Sequence, residues 1–261
     1  MFATSVALAP AAIVAQLADA AACRALRATD MRAALDALGI AERPLAIERL
    51  LGGRSSAVYR LKLRRTTVVL KCALAGGSVL AFGARLAGPQ PYPADLSPAA
   101  RVRREASALA ILAAAGVRVP RVIAANPAAR LVLLEHLDGE PLPATLGRPD
   151  AELRIAGYAR ALQAAHAAGI VLGDAHPGNA LVTADGIALI DLEFAERGEE
   201  VDDVRARRAF DLAYAAQFLT PAERRIFLAG ADDRVAVAAA MSRLRAYAPL
   251  FAYEMARQRA A

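Results

Sequence analysis

The sequence lacks tryptophan and contains very little cysteine, histidine or lysine. Its 261 residues include 2 cysteines, Cys23 and Cys72, which provide neither a disulfide framework nor a CxxC pair. The cysteines and the 3 histidines also show no zinc-ligand spacing. These absences argue against a disulfide-stabilised secreted scaffold and a zinc protein, so we predict a cytoplasmic chain.

Lysine is the scarce basic residue, because Lys62 and Lys71 are the only lysines among 32 basic side chains. The net charge of +6 would permit an acidic partner. The arginines are scattered, however, and we interpret the short cluster at Arg101, Arg103 and Arg104 as a solvated helix face. No aromatic residues are interleaved with a basic patch, so direct nucleic-acid binding is not expected.

The first 43 residues contain apolar stretches, but none is long enough to span a membrane. Pro10 interrupts the first stretch, and a positively charged start is missing, so we do not expect a signal peptide. The periodicity predicts two amphipathic helices, over 10–28 and 30–39. Residues 1–43 are therefore predicted to form an N-terminal helical extension.

The next region, residues 44–138, is predicted to be rich in strands. The runs LAIERLLGG, SAVYRLKL and TTVVLKCA predict a three-stranded antiparallel meander. Residues 75–98 are rich in glycine and proline and predict an insertion. Ser97 and Pro98 then open a long helix that Gly116 ends, and VRVPRVIAA and LVLLEHL predict two further strands.

The last region, residues 139–261, is predicted to be mostly helical. An alanine-rich helix over 150–168 precedes IVLGDAHPGNALVTADGIALIDLEF, which predicts a loop between short strands with a hairpin turn at Asp185-Gly186. From Asp203 onward the pattern is helical. The sequence thus predicts an α+β, two-lobed architecture with a cleft between the lobes.

The most informative stretch is G-D-A-H-P-G-N at 173–179, which is followed by Asp191 in LIDLEF. Phosphoryl transfer from ATP needs one carboxylate to orient the attacking hydroxyl, together with a carboxylate and an amide to hold Mg²⁺ against the phosphates. Asp174, Asn179 and Asp191 supply this set. A plain surface turn is the alternative, because Asp, Pro, Gly and Asn are common turn residues.

The pattern D-x-x-x-x-N followed by I-D-L resembles the catalytic loop and metal-binding segment of the protein-kinase-like superfamily. The resemblance implies a kinase fold with a β-rich N-lobe holding one long helix, and a helical C-lobe. It also implies that Asp174 is the catalytic base and that Asn179 and Asp191 bind metal. The cofactors it implies are ATP and Mg²⁺ or Mn²⁺.

In that superfamily a lysine on the third strand contacts the phosphates of ATP, and a glutamate on the following helix holds the lysine. Lys71 in V-V-L-K and Glu105 in R-R-E-A occupy the matching positions. Lys62 lies in an alternating strand and is expected to face solvent. We therefore predict an ion pair between Lys71 and Glu105.

The nucleotide contacts implied by the resemblance come from two further segments. G-G-R-S-S-A-V-Y resembles part of the glycine-rich loop, and L-V-L-L-E-H-L resembles the hinge that binds adenine through its backbone. The implied ATP-binding residues are Gly52, Gly53, Ser55, Ser56, Val58, Glu135 and Leu137, together with Lys71. A hairpin turn is the alternative for the first segment.

The acceptor remains open between two branches of the superfamily. The segment R-R-E-A-x-A-L-x-I-L-x-x-A-G-V and the later A-F-D-L-A resemble small atypical kinases, the KEOPS-associated and RIO types. G-D-x-H-P-G-N is closer to aminoglycoside phosphotransferases, and Leu172 replaces the usual His or Arg. We expect an atypical protein kinase acting on Ser or Thr of a protein. The alternatives are a small-molecule kinase and a nucleotide-binding pseudokinase or regulatory subunit.

Overall fold

The computed structural model describes residues 28–50, 55–75 and 93–245. The first predicted helix, most of the 75–98 insertion, and the predicted ATP-binding residues Gly52 and Gly53 lie outside the described residues. Within the described part, the fold class predicted from the sequence, an α+β protein with a sheet-containing N-lobe and a helical C-lobe, is confirmed.

The N-lobe is built on a five-stranded antiparallel sheet. Its strands lie in the order β1-β2-β3-β5-β4, so the predicted meander β1-β2-β3 is extended by the hairpin of β4 and β5. β5 is buried along nearly its whole length, as expected for an interior strand. The strands are β1 (Ala46–Leu50), β2 (Ser56–Lys62), β3 (Thr67–Ala73), β4 (Val122–Asn126) and β5 (Leu131–Glu135).

Two helices accompany the sheet. α1 (Ala28–Ala37) buries Met31 and Leu35 in one apolar cluster with residues of β2 and β3. α2 (Pro98–Ala114) is the predicted long helix, and the Ser97 hydroxyl accepts a hydrogen bond from the backbone N–H of Ala100 at 3.3 Å. This N-terminal cap and the proline after it explain why the helix begins where it does.

The C-lobe contains five α-helices in the described residues. It also contains a small three-stranded sheet, two strands of which follow the loop that holds Asp174. The predicted turn at Asp185-Gly186 joins two strands of this sheet. The helices are α3 (Leu142–Thr145), α4 (Ala151–Ala167), α5 (Val204–Gln217), α6 (Pro221–Phe227) and α7 (Arg234–Leu244). The strands are β6 (Gly139–Pro141), β7 (Ile170–Val171), β8 (Ala180–Thr183), β9 (Gly186–Leu189) and β10 (Glu196–Arg197), of which β7 pairs with β10.

The main apolar core runs from α2 and β5 of the N-lobe into α4 and α5 of the C-lobe. Leu112, Leu162 and Ala213 are fully buried in it. This shared core keeps the two lobes in register, and the segment from β7 to β10 crosses the C-lobe beside it. In the described ranges, no helix combines the length and the apolar character that a membrane crossing needs.

Candidate active site

The loop that follows β7 is shaped by a glycine. Gly173 has a φ of +73°, and a Cβ placed there would lie 2.7 Å from the carbonyl oxygen of Phe194. Any side chain at this position would therefore combine a left-handed backbone with a clash against main chain. The glycine sets the direction in which the next residue, Asp174, leaves the strand.

Asp211 of α5 fixes the start of this loop through hydrogen bonds to its backbone. Its carboxylate accepts hydrogen bonds from the backbone N–H groups of Leu172, at 2.7 Å, and Gly173, at 3.0 Å. The same carboxylate lies 3.0 Å from Nε2 of His166. Our sequence analysis gave Asp211 no role in the site. The signal was a single carboxylate inside the otherwise apolar segment A-F-D-L-A, which a buried helix face does not carry without partners.

Asp174 and Asn179 face each other across the loop. The Asn179 amide nitrogen donates to the Asp174 carbonyl at 3.1 Å and to its carboxylate at 3.3 Å. The pKa of the Asp174 carboxyl is raised to about 7, chiefly by burial and then by the nearby carboxylates of Asp191 and Glu193, while hydrogen bonds from Asn179 and Tyr214 oppose the rise. A carboxyl group with this pKa can accept a proton near neutral pH.

Lys71 joins the two lobes. Its ammonium group lies 2.6 Å from Oε1 of Glu105 and 2.8 Å from Oδ1 of Asp191. The predicted pairing with Glu105 is thus present, and Asp191 is added to it. The side chains of Lys71 and Glu105 are buried, whereas 31% of the Asp191 side chain is exposed. Asp191 therefore forms the solvent-facing end of the cluster.

The backbone of Asp191 is unusual, because its φ is +58° and it is not a glycine. A left-handed conformation at such a residue is uncommon and persists where the surrounding structure enforces it. Here the neighbouring Ile190 N–H donates to the Asn179 carbonyl at 2.9 Å. This bond ties the Asp191 segment to the loop that carries Asp174.

The charged groups in this cluster shift one another's pKa values. Burial would lower the pKa of the Lys71 ammonium, but the carboxylates of Asp191, Glu105 and Glu193 outweigh it and raise that pKa. Burial raises the pKa of Glu105, against the opposing effect of the Lys71 ammonium. Lys71 is therefore held in its charged form, as a phosphate-binding ammonium must be.

Ser56, one of the predicted ATP-binding residues, lies against a carboxylate, and its role toward ATP remains a prediction. The Ser56 hydroxyl is buried and donates to Glu193 at 2.9 Å. Glu193 also accepts from Arg101 Nη1 at 3.1 Å. Arg101 is fully buried, so our interpretation of its cluster as a solvated helix face is wrong for this residue. The spacing from Arg101 to Glu105, one helical turn, was the available signal.

The other predicted ATP-binding residues lie along the sheet. Val58 is half-buried in β2 and is the register partner of Lys71 in β3. The Glu135 N–H donates to the Arg121 carbonyl at 2.9 Å, so this group is already used by the protein. Leu137 is buried just after β5. The roles of these residues remain predictions.

His176, between Asp174 and Asn179, makes local contacts. Its Nδ1 accepts a hydrogen bond from the Gly178 N–H at 2.9 Å, and its ring lies edge-on to Phe218 with the centroids 4.2 Å apart. The ring thus shapes the loop and packs it onto the end of α5.

The donor set fits a divalent cation with oxygen ligands. Asp191 uses Oδ1 toward Lys71, and Asn179 uses its amide nitrogen toward Asp174. In the described residues no hydrogen bond engages Asp191 Oδ2 or the Asn179 amide oxygen, which leaves one carboxylate and one amide oxygen for a hard cation such as Mg²⁺.

The comparisons with known proteins agree with this geometry. Residues 46–169, just under half of the chain, match the model of the Phosphotransferase enzyme family. No curated protein sequence matches the chain.

WaaP and a Rio2 kinase are among the solved structures that are similar to this chain. WaaP, in a complex with acyl carrier protein, is 18% identical, with 86% of this chain and 92% of that chain covered and a TM-score of 0.51. The Rio2 kinase of Chaetomium thermophilum, in a complex with ADP, Mg²⁺ and phosphoaspartate, is 16% identical, with 87% and 72% covered and a TM-score of 0.51.

Identities this low establish the fold and nothing further. Together with the family match, they support the predicted resemblance to the protein-kinase-like superfamily and confirm a kinase-like fold.

Proposed function

We propose that this protein-kinase-like chain is an ATP-dependent phosphotransferase that moves the γ-phosphate to a hydroxyl group. The observation that carries the proposal is the Lys71 bridge. Lys71, Glu105 and Asp191 lie far apart in the sequence and on both lobes, yet their charged atoms meet within 2.8 Å of the ammonium nitrogen. Such convergence of charges from both lobes is what phosphate binding requires.

Asp174 is proposed to act as the base. In the transfer, the acceptor oxygen bonds to the γ-phosphorus, the bond from that phosphorus to the ADP oxygen breaks, and the hydroxyl proton passes to the Asp174 carboxylate. The raised pKa of Asp174, about 7, lets this carboxylate take up the proton at neutral pH. Lys71, held by Glu105, would contact the α- and β-phosphates of the substrate.

Asn179 and Asp191 are proposed to hold Mg²⁺, or Mn²⁺ in its place. When bound, the cation would neutralise phosphate charge. The chain's own contribution is to fix its two ligands. Asn179 is oriented by its bonds to Asp174, and Asp191 by its bond to Lys71.

We further propose that the acceptor is Ser or Thr of a protein. In the described part of the chain, α6 and α7 are the only helices after α5, and they pack on α4 and α5. We take this packing, within the described residues, to support an acceptor site that is open to a protein. The similar WaaP structure was determined with a protein, acyl carrier protein, and supports protein contact as a mode for this fold.

A small-molecule acceptor is the second candidate. The observation that favours it is the match of residues 46–169 to the Phosphotransferase enzyme family. The G-D-A-H-P-G-N loop, which resembles that of aminoglycoside phosphotransferases, points the same way. A pseudokinase is less well supported, since Lys71, Glu105, Asp174, Asn179 and Asp191 are assembled together.

The test is incubation with γ-labelled ATP and Mg²⁺, first with the protein alone and with protein substrates, then with sugars and aminoglycosides. We expect label in protein, and we expect Asp174→Asn to reduce transfer by roughly 10²–10⁴-fold. Label that appears only in small molecules would replace the protein acceptor by the second candidate.

Lys62→Met is the matched control for Lys71→Met, because the chain's other lysine is exposed at the end of β2. The control should transfer phosphate normally, whereas Lys71→Met should not. Transfer that survives both Asp174→Asn and Lys71→Met would overturn the proposed function.

A further inference from the structure

We propose that Arg101, Glu193 and Ser56 form a positioning network, here called the loop clamp, that holds the loop residues Ser55 and Ser56, at the start of β2, against the Asp191 segment before any nucleotide binds. The inference rests on the proposed function and adds to it three positioning residues. None of the three needs to touch ATP. They act by fixing the places from which Lys71 and Asp191 do so.

The first step is the set of hydrogen bonds that the Glu193 carboxylate accepts. Arg101 Nη1 lies 3.1 and 3.2 Å from the two carboxylate oxygens of Glu193, and the Ser56 hydroxyl donates to the same carboxylate at 2.9 Å. The side chains of Arg101 and Glu193 are 0% and 2% exposed. A buried charge pair this enclosed is retained only when its hydrogen bonds compensate the lost solvation.

The second step concerns the other hydrogen bonds that Arg101 donates. Nη1 also donates to the Ser55 carbonyl at 2.9 Å, and Nη2 donates to the Leu74 carbonyl. The Leu74 N–H in turn donates to the Ser55 carbonyl at 2.9 Å. One guanidinium therefore binds the backbone at two places at this end of the sheet, just before β2 begins and just after β3 ends.

The third step is the position of Glu193 two residues after Asp191. One carboxylate oxygen from each of Glu193, Asp191 and Glu105 falls within 4.8 Å of the others. Left unpaired, the Glu193 charge would repel the phosphates of ATP. Arg101 and Ser56 occupy this carboxylate, so Glu193 can tie the loop to the Asp191 segment without that cost.

The loop clamp thus joins three parts that must be placed together for transfer, namely the start of β2, the helix that carries Glu105, and the segment that carries Asp191. Its members come from positions 56, 101 and 193 and meet only in the folded chain. The network therefore fixes these three parts relative to one another in the folded chain.

The test exploits the difference between stability and position. The double variant Arg101→Met/Glu193→Leu replaces the ion pair by apolar side chains of similar size, an exchange that buried pairs often tolerate without loss of stability. We expect it to fold with a melting temperature near that of the wild type. We expect its Kd for MgADP, measured by calorimetry, to rise by about tenfold or more, because the guanidinium bonds to the two carbonyls are gone.

The matched control is Arg207→Met/Glu196→Leu, which removes another mostly buried ion pair, with side chains 15% and 14% exposed, between α5 and β10. It should bind MgADP as the wild type does. If the loop-clamp double variant folds and keeps its affinity within twofold, the pair is only structural and the proposal is wrong. If it fails to fold, Ser56→Ala is used, and unchanged affinity in that variant also overturns the proposal.

A readout without nucleotide separates this inference from the proposed function. Hydrogen exchange of the ligand-free protein should show faster exchange of the backbone amides at 55–57 and 74 in the double variant, with β4 and β5 unchanged. Unchanged exchange at those amides would overturn the loop clamp. A wild type that binds no MgADP, with the exchange result as expected, would overturn the proposed function and leave the network as a device that fixes the loop.

Discussion

Two buried charge clusters lie on the same face of α2, four residues apart, and they differ in their access to solvent. Glu105 binds Lys71, and that cluster ends at Asp191, whose side chain is 31% exposed. Arg101 binds Glu193, and that pair is enclosed, with exposures of 0% and 2%. The helix thus carries one cluster that opens to solvent at Asp191 and one that is buried throughout.

The difference shows how burial gives the two clusters different roles. A charge with an open side can exchange its partner for a ligand, and Asp191 keeps one carboxylate oxygen without a hydrogen bond in the described residues. A sealed charge has every partner inside the protein, so removing one leaves the other uncompensated. The open cluster is built for ligands and the sealed cluster for position.

Removing the arginine of the sealed cluster should have the largest effect. We expect Arg101→Ala to lower the free energy of unfolding by about 3–5 kcal/mol, because it leaves Glu193 buried with Ser56 as its remaining side-chain partner. Chemical denaturation followed by circular dichroism measures this. Glu105→Gln should cost less, since Lys71 keeps Asp191. A larger loss for Glu105→Gln would contradict the comparison.

Changing the exposed end of the open cluster should affect activity more than stability. We expect Asp191→Asn to reduce phosphate transfer by at least about a hundredfold. Its melting temperature should stay near that of the wild type, because Lys71 retains Glu105 at 2.6 Å. Steady-state kinetics and thermal unfolding on the same preparation test both. A variant that melts early and transfers normally would reverse the assignment.

The open cluster should also control the titration of Asp174. In the metal-free protein we expect the Asp174 carboxyl to titrate near pH 7, and Asp191→Asn to lower that pKa, since the Asp191 charge contributes to raising it. Carbon-13 NMR of labelled aspartate follows the midpoint. An unchanged midpoint in Asp191→Asn would show that the two carboxyls do not interact.

The same shift has a consequence for stability. Because the folded pKa of Asp174, about 7, lies above its ordinary value of 3.8, its contribution to stability is fully present below pH 3.8 and is lost as the pH rises through 7. Asp174→Asn should therefore gain stability relative to the wild type over that interval. Denaturation at pH 4 and pH 8 measures the gain, and a difference of the opposite sign would contradict the direction of the shift.

The smallest effect is expected where both charges are exposed. Arg148 and Glu140 form an ion pair with side chains 46% and 54% exposed. Pairs in such positions contribute little, because water already solvates both groups. Arg148→Ala should leave the unfolding midpoint and the transfer rate unchanged within error. A clear loss of stability would show that solvent exposure does not distinguish this pair from the buried clusters.

The local parts of the site could be predicted from the sequence. The spacing from Asp174 to Asn179 defines one loop, and V-V-L-K places Lys71 in a strand. The pairing with Glu105 was also predictable, because the resemblance to the superfamily specifies which helix carries the glutamate. The functional roles of these residues stay predictions until transfer is measured.

Arg101 and Glu193 escaped prediction for a physical reason. An arginine in R-V-R-R on an alanine-rich helix has the pattern of a solvated face, and the one local feature that separates Arg101 from its exposed neighbour Arg103 is its one-turn spacing from Glu105. Its burial depends on the carbonyls of Ser55 and Leu74 and on Glu193, which the fold brings to it. Asp211 was missed for the same reason, since its partners lie 38 and 39 residues earlier.

By itself the sequence determined the elements and the chemistry available to them: a meander carrying Lys71, a capped helix carrying Glu105, and a loop holding Asp174 and Asn179. These follow from periodicity, capping and turn residues, which act over a few positions. Only the tertiary structure decided which charges are sealed and which remain open. Whether a charge is buried and paired depends on atoms that distant segments supply. The distances between those atoms and the charge cannot be read from the order of residues along the chain.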